Sequence, residues 1–186
     1  MKGCIVDAIR DLVVEHFGQE KWYDILDGAG LPVGKTFSVG ENIPDETVLA
    51  ILNSMSRHLN MTPEELADAF GEYWVTVYTR KVYKPYYRGI TNAREFLLKM
   101  DEIHRRVTTN IPEARPPRFS YQWEGPNTLI MTYKSHRGLM GIFLGALKGV
   151  GKLFNTPLEI EVLDGNRVRI TFPNFSGEVD KPGGFL

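Results

Sequence analysis

The sequence predicts an α+β fold, with a helical N-terminal lobe and a C-terminal lobe of packed helices on a four-stranded antiparallel sheet. Three observations carry this expectation. Apolar residues in the first half recur three and four positions apart, the spacing of helices with one buried face. Beyond Asn110 the pattern changes: Arg118–Trp123 and Leu129–Lys134 read as strands, and Leu158–Leu163 with Arg167–Phe172 forms a hairpin around Asp164-Gly165. Between these pairs, Gly138–Phe154 returns to a helical pattern.

Taken in order, Ile5, Ile9, Leu12, Val13 and Phe17 make the stripe of a first helix that stops near Gly18. Trp22, Ile25 and Leu26 belong to a short second helix ended by Gly28 and Gly30. Glycines and Pro32 mark a loop over Leu31–Asn42. Pro44-Asp45 precedes a helix through about Leu59, and Thr62-Pro63-Glu64-Glu65 is an N-cap followed by proline at the first helical position. Helix is expected to resume from Gly71 to about Tyr83. Arg94–Thr108 is amphipathic, with Phe96, Leu97, Met100, Ile103 and Val107 on one stripe. Ser176–Leu186 reads as a loose tail.

Composition bounds the function without selecting it. The chain has 186 residues, 42% of them hydrophobic, enough for one domain with a substantial core. A net charge of −1 provides no global field for nucleic acid or acidic lipid. The single cysteine, Cys4, excludes an internal disulfide framework and a cysteine-rich zinc site. No apolar run approaches a membrane span and the N-terminus lacks a signal-peptide pattern, so the expected location is cytoplasmic.

Two features carry chemistry. If Tyr133–Arg137 is extended, Tyr133, Ser135 and Arg137 share a face and offer two hydroxyls and a guanidinium over about 7 Å. That array suits an anion with separated oxygen clusters, although a merely solvated strand face would look the same. His104 falls on the apolar stripe of the 94–108 helix. It is either a hydrogen-bonded core histidine or a neutral imidazole offered to a metal in an apolar pocket. A haem needs that second arrangement, with polar grips for its propionates.

The order Asp101-Glu102-Ile103-His104, Arg115-Pro116-Pro117-Arg118 and Tyr133-x-Ser135-x-Arg137 resembles the H-NOX haem domains, bacterial relatives of the haem domain of soluble guanylate cyclase. Met1-Lys2-Gly3, Phe70-Gly71-Glu72-Tyr73-Trp74 and Phe143-Leu144-Gly145 are similar to the same family, and the likeness runs from Met1 to about Phe175. The resemblance implies a single domain over 1–175, with a helical lobe of about 1–65, a haem-ligating lobe of about 66–175 and haem b between them. It implies His104 as axial ligand of ferrous iron and Tyr133, Ser135 and Arg137 as the propionate grip. It further implies Pro117 pressing on the macrocycle, and Ile5, Ile9, Trp74, Val75 and Tyr78 near the haem. The position matching the distal tyrosine of oxygen-binding members is Ile142, which cannot donate a hydrogen bond. Nitric oxide, with carbon monoxide as a second gas, is therefore expected over oxygen. Whether Trp74 donates to a ligand or only fills space stays open.

Glu72 to Glu95 encloses no acid, while Arg80, Lys81, Lys84, Arg88 and Arg94 sit among Tyr78, Tyr83, Tyr86 and Tyr87. Single-stranded nucleic acid, a solvated helix end and a protein-docking face all fit that pattern. Neutral overall charge and the lack of an RNA-binding motif weigh against nucleic acid. His16 and His58 have no nucleophile nearby in sequence, and alternation on a strand would separate Ser135 from His136, so no enzyme is expected. The family then suggests output to a histidine kinase, a cyclic-di-GMP enzyme or a chemotaxis receptor. An oxygen-responsive haem sensor and a non-haem interaction module are the competing readings.

Overall fold

The computed structural model describes residues 1–174. Helix α1 (Gly3–Phe17) opens the chain, followed by α2 (Gln19–Gly28), α3 (Asp45–Leu59) and α4 (Pro63–Tyr73). The start of α1 is held by the loop before α3. The Gly3 N–H donates to Glu41 O at 2.8 Å and the Cys4 N–H to Val39 O at 2.9 Å. A Cβ on Gly3 would fall 1.9 Å from the Ser38 carbonyl oxygen, so only glycine fits there. Asn60 ends α3 in the left-handed conformation. A reciprocal cap starts α4: Thr62 Oγ1 accepts from the Glu65 N–H, and the Thr62 N–H donates to Glu65 Oε2 at 2.7 Å.

The helix expected over 71–83 is the second half of a longer one. After α4 the chain continues as a π-helical turn (Trp74–Tyr78) and then α5 (Thr79–Val82), without leaving the helical path. Thr76 and Thr79 bond back to the carbonyls of Glu72 and Val75, as hydroxyl residues do inside helices. A 3₁₀ turn (Lys84–Tyr87) leads to α6 (Ala93–Thr108), capped by the Asn92 side chain accepting from the Glu95 N–H at 2.8 Å.

Strands β1 (Arg118–Trp123) and β2 (Thr128–Lys134), helix α7 (Met140–Leu153) and strands β3 (Glu159–Val162) and β4 (Arg167–Thr171) complete the described chain. The sheet order is β1-β2-β4-β3, antiparallel throughout, with Tyr133 opposite Phe119. The tail expected over 176–186 lies outside the described residues.

Two hydrophobic clusters form. Val6, Ile9, Val13, Trp22, Ile25, Val48, Ile51 and Phe70 gather α1 to α4. Phe96, Leu97, Leu129, Met131, Phe143, Leu147, Val168 and Ile170 gather α6, α7 and the sheet. The half-buried Trp74 packs against both. What joins them is the crossing of α4 over α7. A Cβ on Gly71 would lie 2.3 Å from Ile142 O and 2.5 Å from Ala146 N; one on Gly145 would lie 2.6 Å from Asp68 O.

A methyl group at this crossing must push two backbones apart. Gly145→Ala is expected to destabilise the fold by about 1–3 kcal/mol, whereas Gly165→Ala, with open space around its Cβ, changes stability by less than about 1 kcal/mol. Urea denaturation of both variants checks the contrast; equal midpoints would rule out the steric account.

Candidate functional site

Histidine 104 is set by its own helix and by the strand beneath it. Its Nδ1 lies 2.8 Å from the Met100 carbonyl oxygen, which can only accept, so Nδ1 carries the proton and Nε2 keeps its lone pair. Burial lowers the imidazole pKa, against the opposing pull of the Met100 bond and the Asp101 charge, and the ring is neutral at pH 7. It faces the ring of Phe119 on β1 at 5.5 Å.

Asp101, three residues earlier, ties α6 to β1. Its Oδ1 accepts from Arg118 Nε at 2.7 Å and from the Phe119 backbone N–H at 2.9 Å, and its Oδ2 accepts from Arg118 Nη2 at 2.5 Å. The Arg118 fork holds the Asp101 carboxyl at about 2, against the desolvation that opposes it. The Asp101 N–H donates to the Tyr121 hydroxyl at 3.1 Å, and burial pushes that phenol up to about 12. Asp101 was not among the site residues expected from the sequence. Its signal was the i, i+3 spacing to His104 together with an arginine at the start of β1.

The condition that 133–137 be extended is not met beyond Lys134. Strand β2 ends at Lys134 and the chain turns at His136-Arg137, so Ser135 and Arg137 do not continue the strand face of Tyr133. The turn closes where the Arg137 N–H donates to Ser135 Oγ at 3.3 Å. Tyr133 is 7% exposed and its ring stacks on Phe143 at 5.2 Å, within 9° of parallel. Arg137 reaches across to the helical lobe: its Nε donates to Asp45 Oδ2 at 3.0 Å and its Nη1 to Arg115 O at 3.2 Å. Asp45 also accepts from the Met1 ammonium at 2.6 Å, and these contacts, that one foremost, lower its pKa. Pro117 is half-buried in the loop that enters β1. Asp45 carried no signal in the sequence, because it lies 92 positions from its partner.

Of the remaining expected residues, Ile9 is buried between helices and Ile5 is half-buried beside it, both in the first cluster. Val75 is buried in the second. Trp74 stacks on Tyr78 at 5.1 Å and 20°, and its indole N–H makes no hydrogen bond with a described residue. Tyr78 is 1% exposed and donates its hydroxyl to Asp7 Oδ2 at 2.9 Å. Ile142, half-buried, packs toward the first cluster, where its carbonyl meets Gly71. Cys4 keeps its proton, because burial pushes the thiol up.

The donor set fits a haem better than a bare ion. Among the described residues no three His, Cys, Asp or Glu side chains gather as a metal cage. A single neutral imidazole with a free Nε2 suits an iron that brings its own four ligands. The buried imidazole lies against the Phe119 ring, and Arg137 retains donors beyond the two it uses.

A family model described as Haem-NO-binding matches residues 2–162, and the chain belongs to that family, the H-NOX domains. A solved oxygen-binding H-NOX domain related to soluble guanylate cyclases, in its oxygen complex, is 26% identical with a TM-score of 0.83, covering 97% of this chain and all of that one. An H-NOX structure solved to study activation has a TM-score of 0.84 at 26% identity, covering 94% of this chain and 97% of its own. An H-NOX protein from S. oneidensis with Fe(II)NO, 19% identical and covering 91% and 97%, shares the fold with a TM-score of 0.81. Among whole proteins, the soluble guanylate cyclases gcy-34 and gcy-32 of Caenorhabditis elegans are 27% and 26% identical over all of this chain, which spans 28% of their length.

The Asp101 clasp is expected to weaken in acid. Its folded pKa lies below the ordinary carboxylate value, so its contribution is complete above about pH 4 and is lost as pH falls toward about 2. Asp101→Asn should remove that pH dependence and lower the melting temperature by about 2–4 °C at pH 7. Thermal melts across this range decide it; identical profiles for both proteins would show that the clasp does not hold α6.

Proposed function

We propose that this chain senses nitric oxide at ferrous haem b, excludes oxygen, and signals through its proximal helix to a separate protein. In this reading His104 Nε2 ligates the iron, and Tyr133, Ser135 and Arg137 hold the propionates. Pro117 bears on the macrocycle, and Ile5, Ile9, Trp74, Val75, Tyr78 and Ile142 form its apolar surroundings, with the haem between the lobes. Bound ferrous haem supplies an open coordination position for a diatomic gas. The polypeptide decides which gas is stabilised there.

The observation that carries the selectivity is the polarity of the distal side chains. Ile142 has no donor, and the Tyr78 hydroxyl is spent on Asp7. Oxygen on ferrous iron gains ~1.5–3 kcal/mol from a donor, on the order of 10–100-fold in affinity, and nitric oxide does not depend on one. Carbon monoxide fits for the same reason. A second reading, oxygen-responsive sensing, is favoured by one atom: the indole N–H of Trp74, uncommitted among the described residues.

Signalling follows from what His104 is attached to. Through Asp101, α6 moves with the entrance to β1, and Arg137 bridges to Asp45 on α3. His104 would hold a bound haem to α6, and loss of that tether would leave α6 free to shift and the lobes free to rearrange around that bridge. A partner that binds the two arrangements unequally reads the difference. A histidine kinase, a cyclic-di-GMP enzyme or a chemotaxis receptor would each serve. Among the described residues no helix is long and apolar enough to cross a membrane, in keeping with the proposed cytoplasmic setting.

An anaerobic ferrous absorption spectrum, repeated after nitric oxide and after air, tests the proposal. A nitrosyl spectrum with no stable oxygen complex is expected; a stable oxygen complex would overturn the selectivity. Ile142→Tyr is expected to raise oxygen affinity on the order of 10–100-fold, and Trp74→Phe to leave it unchanged. His104→Gly, with imidazole supplied to retain the haem, should regulate the partner as the nitric oxide state does. Regulation like that of unliganded protein would refute release as the signal.

A further inference from the structure

We propose that the exposed basic side chains around Tyr86 form the docking surface for a signalling protein that presents clustered Asp and Glu residues. From Tyr73 to Arg94 the chain carries no acid. Within it Arg80, Lys84 and Arg88 are exposed on α5 and the 3₁₀ turn, and with Arg105 on α6 they form no ion pair among the described residues. The acids nearest this surface are already engaged: Asp11 by Lys81 at 3.3 Å and Glu102 by Arg106 at 3.8 Å. The Arg106 guanidinium lies 5.9 Å from the Tyr86 ring, which joins the end of α6 to the 3₁₀ turn as one surface. Positive charge concentrated here, on a chain of net charge −1, calls for a negative partner.

The chemistry narrows that partner. Single-stranded nucleic acid needs exposed aromatic platforms, but Tyr83 and Tyr87 pack inward and the half-buried Tyr86 lies beside the Arg106 guanidinium. Tyr83 packs 6.4 Å from Trp74, and Tyr87 packs 5.1 Å from Phe96. Charge alone can draw a basic patch to anionic lipid, but a firm hold there adds inserted apolar side chains, and the exposed ones on this helix are the short Val77 and Val82. Arginine forks grip carboxylates bidentately as they do phosphates, and an acidic protein face is the partner that needs neither aromatic platforms nor inserted apolar side chains.

The location gives the surface a purpose that rests on the sensor reading. Arg105 and Arg106 directly follow His104 on α6, whereas Lys84 and Arg88 sit on the connection from the distal helix. A shift of α6 changes the spacing between the two sets, so a rigid acidic cluster binds the two arrangements with different affinity. By linkage the partner then biases gas binding in return.

The test uses the haem-loaded chain, with poly-L-glutamate as probe and oligothymidylate and phosphatidylserine vesicles as separate arms. Hydrogen exchange should show protection by poly-L-glutamate concentrated at 80–88 and 102–108, weakening several-fold with added salt. Lys84→Glu/Arg88→Glu/Arg105→Glu should weaken binding about tenfold or more. Protection spread evenly over Arg115, Arg118 and Arg167, or unchanged binding by the variant, would overturn the assignment. Tighter binding of oligothymidylate or vesicles than of poly-L-glutamate would overturn the choice of a protein partner. Absorption spectra of the same samples keep the two proposals apart: absent haem uptake refutes the sensor reading and leaves the binding result intact.

Discussion

The close crossing of α4 over α7 is the constraint on which the rest of the molecule depends. Gly71, Gly145 and Gly149 let the two backbones meet where any side chain would hold them apart. The ion pairs along the crossing, Lys148 with Asp68 and Lys152 with Glu72, are partly exposed and contribute little by comparison. Because the backbones touch, the π turn that follows α4 lies against α7, and Trp74 and Ile142 are fixed relative to one another. The two hydrophobic clusters therefore meet along a wall whose position is set by glycine.

The facing wall is built differently, by charge and hydrogen bonds rather than by close backbone packing. Asp101 binds Arg118 and the Phe119 N–H, so α6 and β1 move together, and the His104 ring is trapped against Phe119. Its Nδ1–H is consumed one turn back at Met100. One wall is thus rigid by steric contact, while the other hangs on a helix held at specific polar points. That asymmetry suits a device in which the proximal side moves and the distal side discriminates.

Much of this was legible in sequence, and the misses share a cause. Helical periodicity located α1, α3 and α6, the Asp-Gly turn located the β3–β4 hairpin, and Thr62-Pro63-x-Glu65 marked the start of α4. Local rules failed where the deciding partner was distant. The strand expected to end at Lys134 does end there, but the chain does not stay extended through Arg137, which turns toward Asp45 on α3. The helix expected from Gly71 begins at Pro63, since Gly71 is a contact with α7 and not a breaker. Tyr133, Ser135 and Arg137 were grouped by alternate spacing, yet Tyr133 belongs to a buried aromatic stack and Ser135 and Arg137 to a turn. A lone sequence encodes periodicity and caps well and long-range pairing poorly.

The long helix also shows that possessing a hydroxyl differs from having one to spend. Two buried tyrosines on the long helix donate to carboxylates of α1: Tyr73 to Glu15 at 2.8 Å and Tyr78 to Asp7 at 2.9 Å. Burial pushes both phenols well above the ordinary tyrosine value, and the carboxylates push the same way, so both remain donors. For Tyr78 to turn toward a bound gas it must abandon a largely buried carboxylate, which costs about 1–3 kcal/mol or more for a charged acceptor. The hydrogen bond gained returns ~1.5–3 kcal/mol. The exchange yields no net stabilisation, and the rotation would also unstack the ring from Trp74. In the proposed reading, Asp7 thereby keeps the Tyr78 hydroxyl from a bound gas without approaching that gas itself.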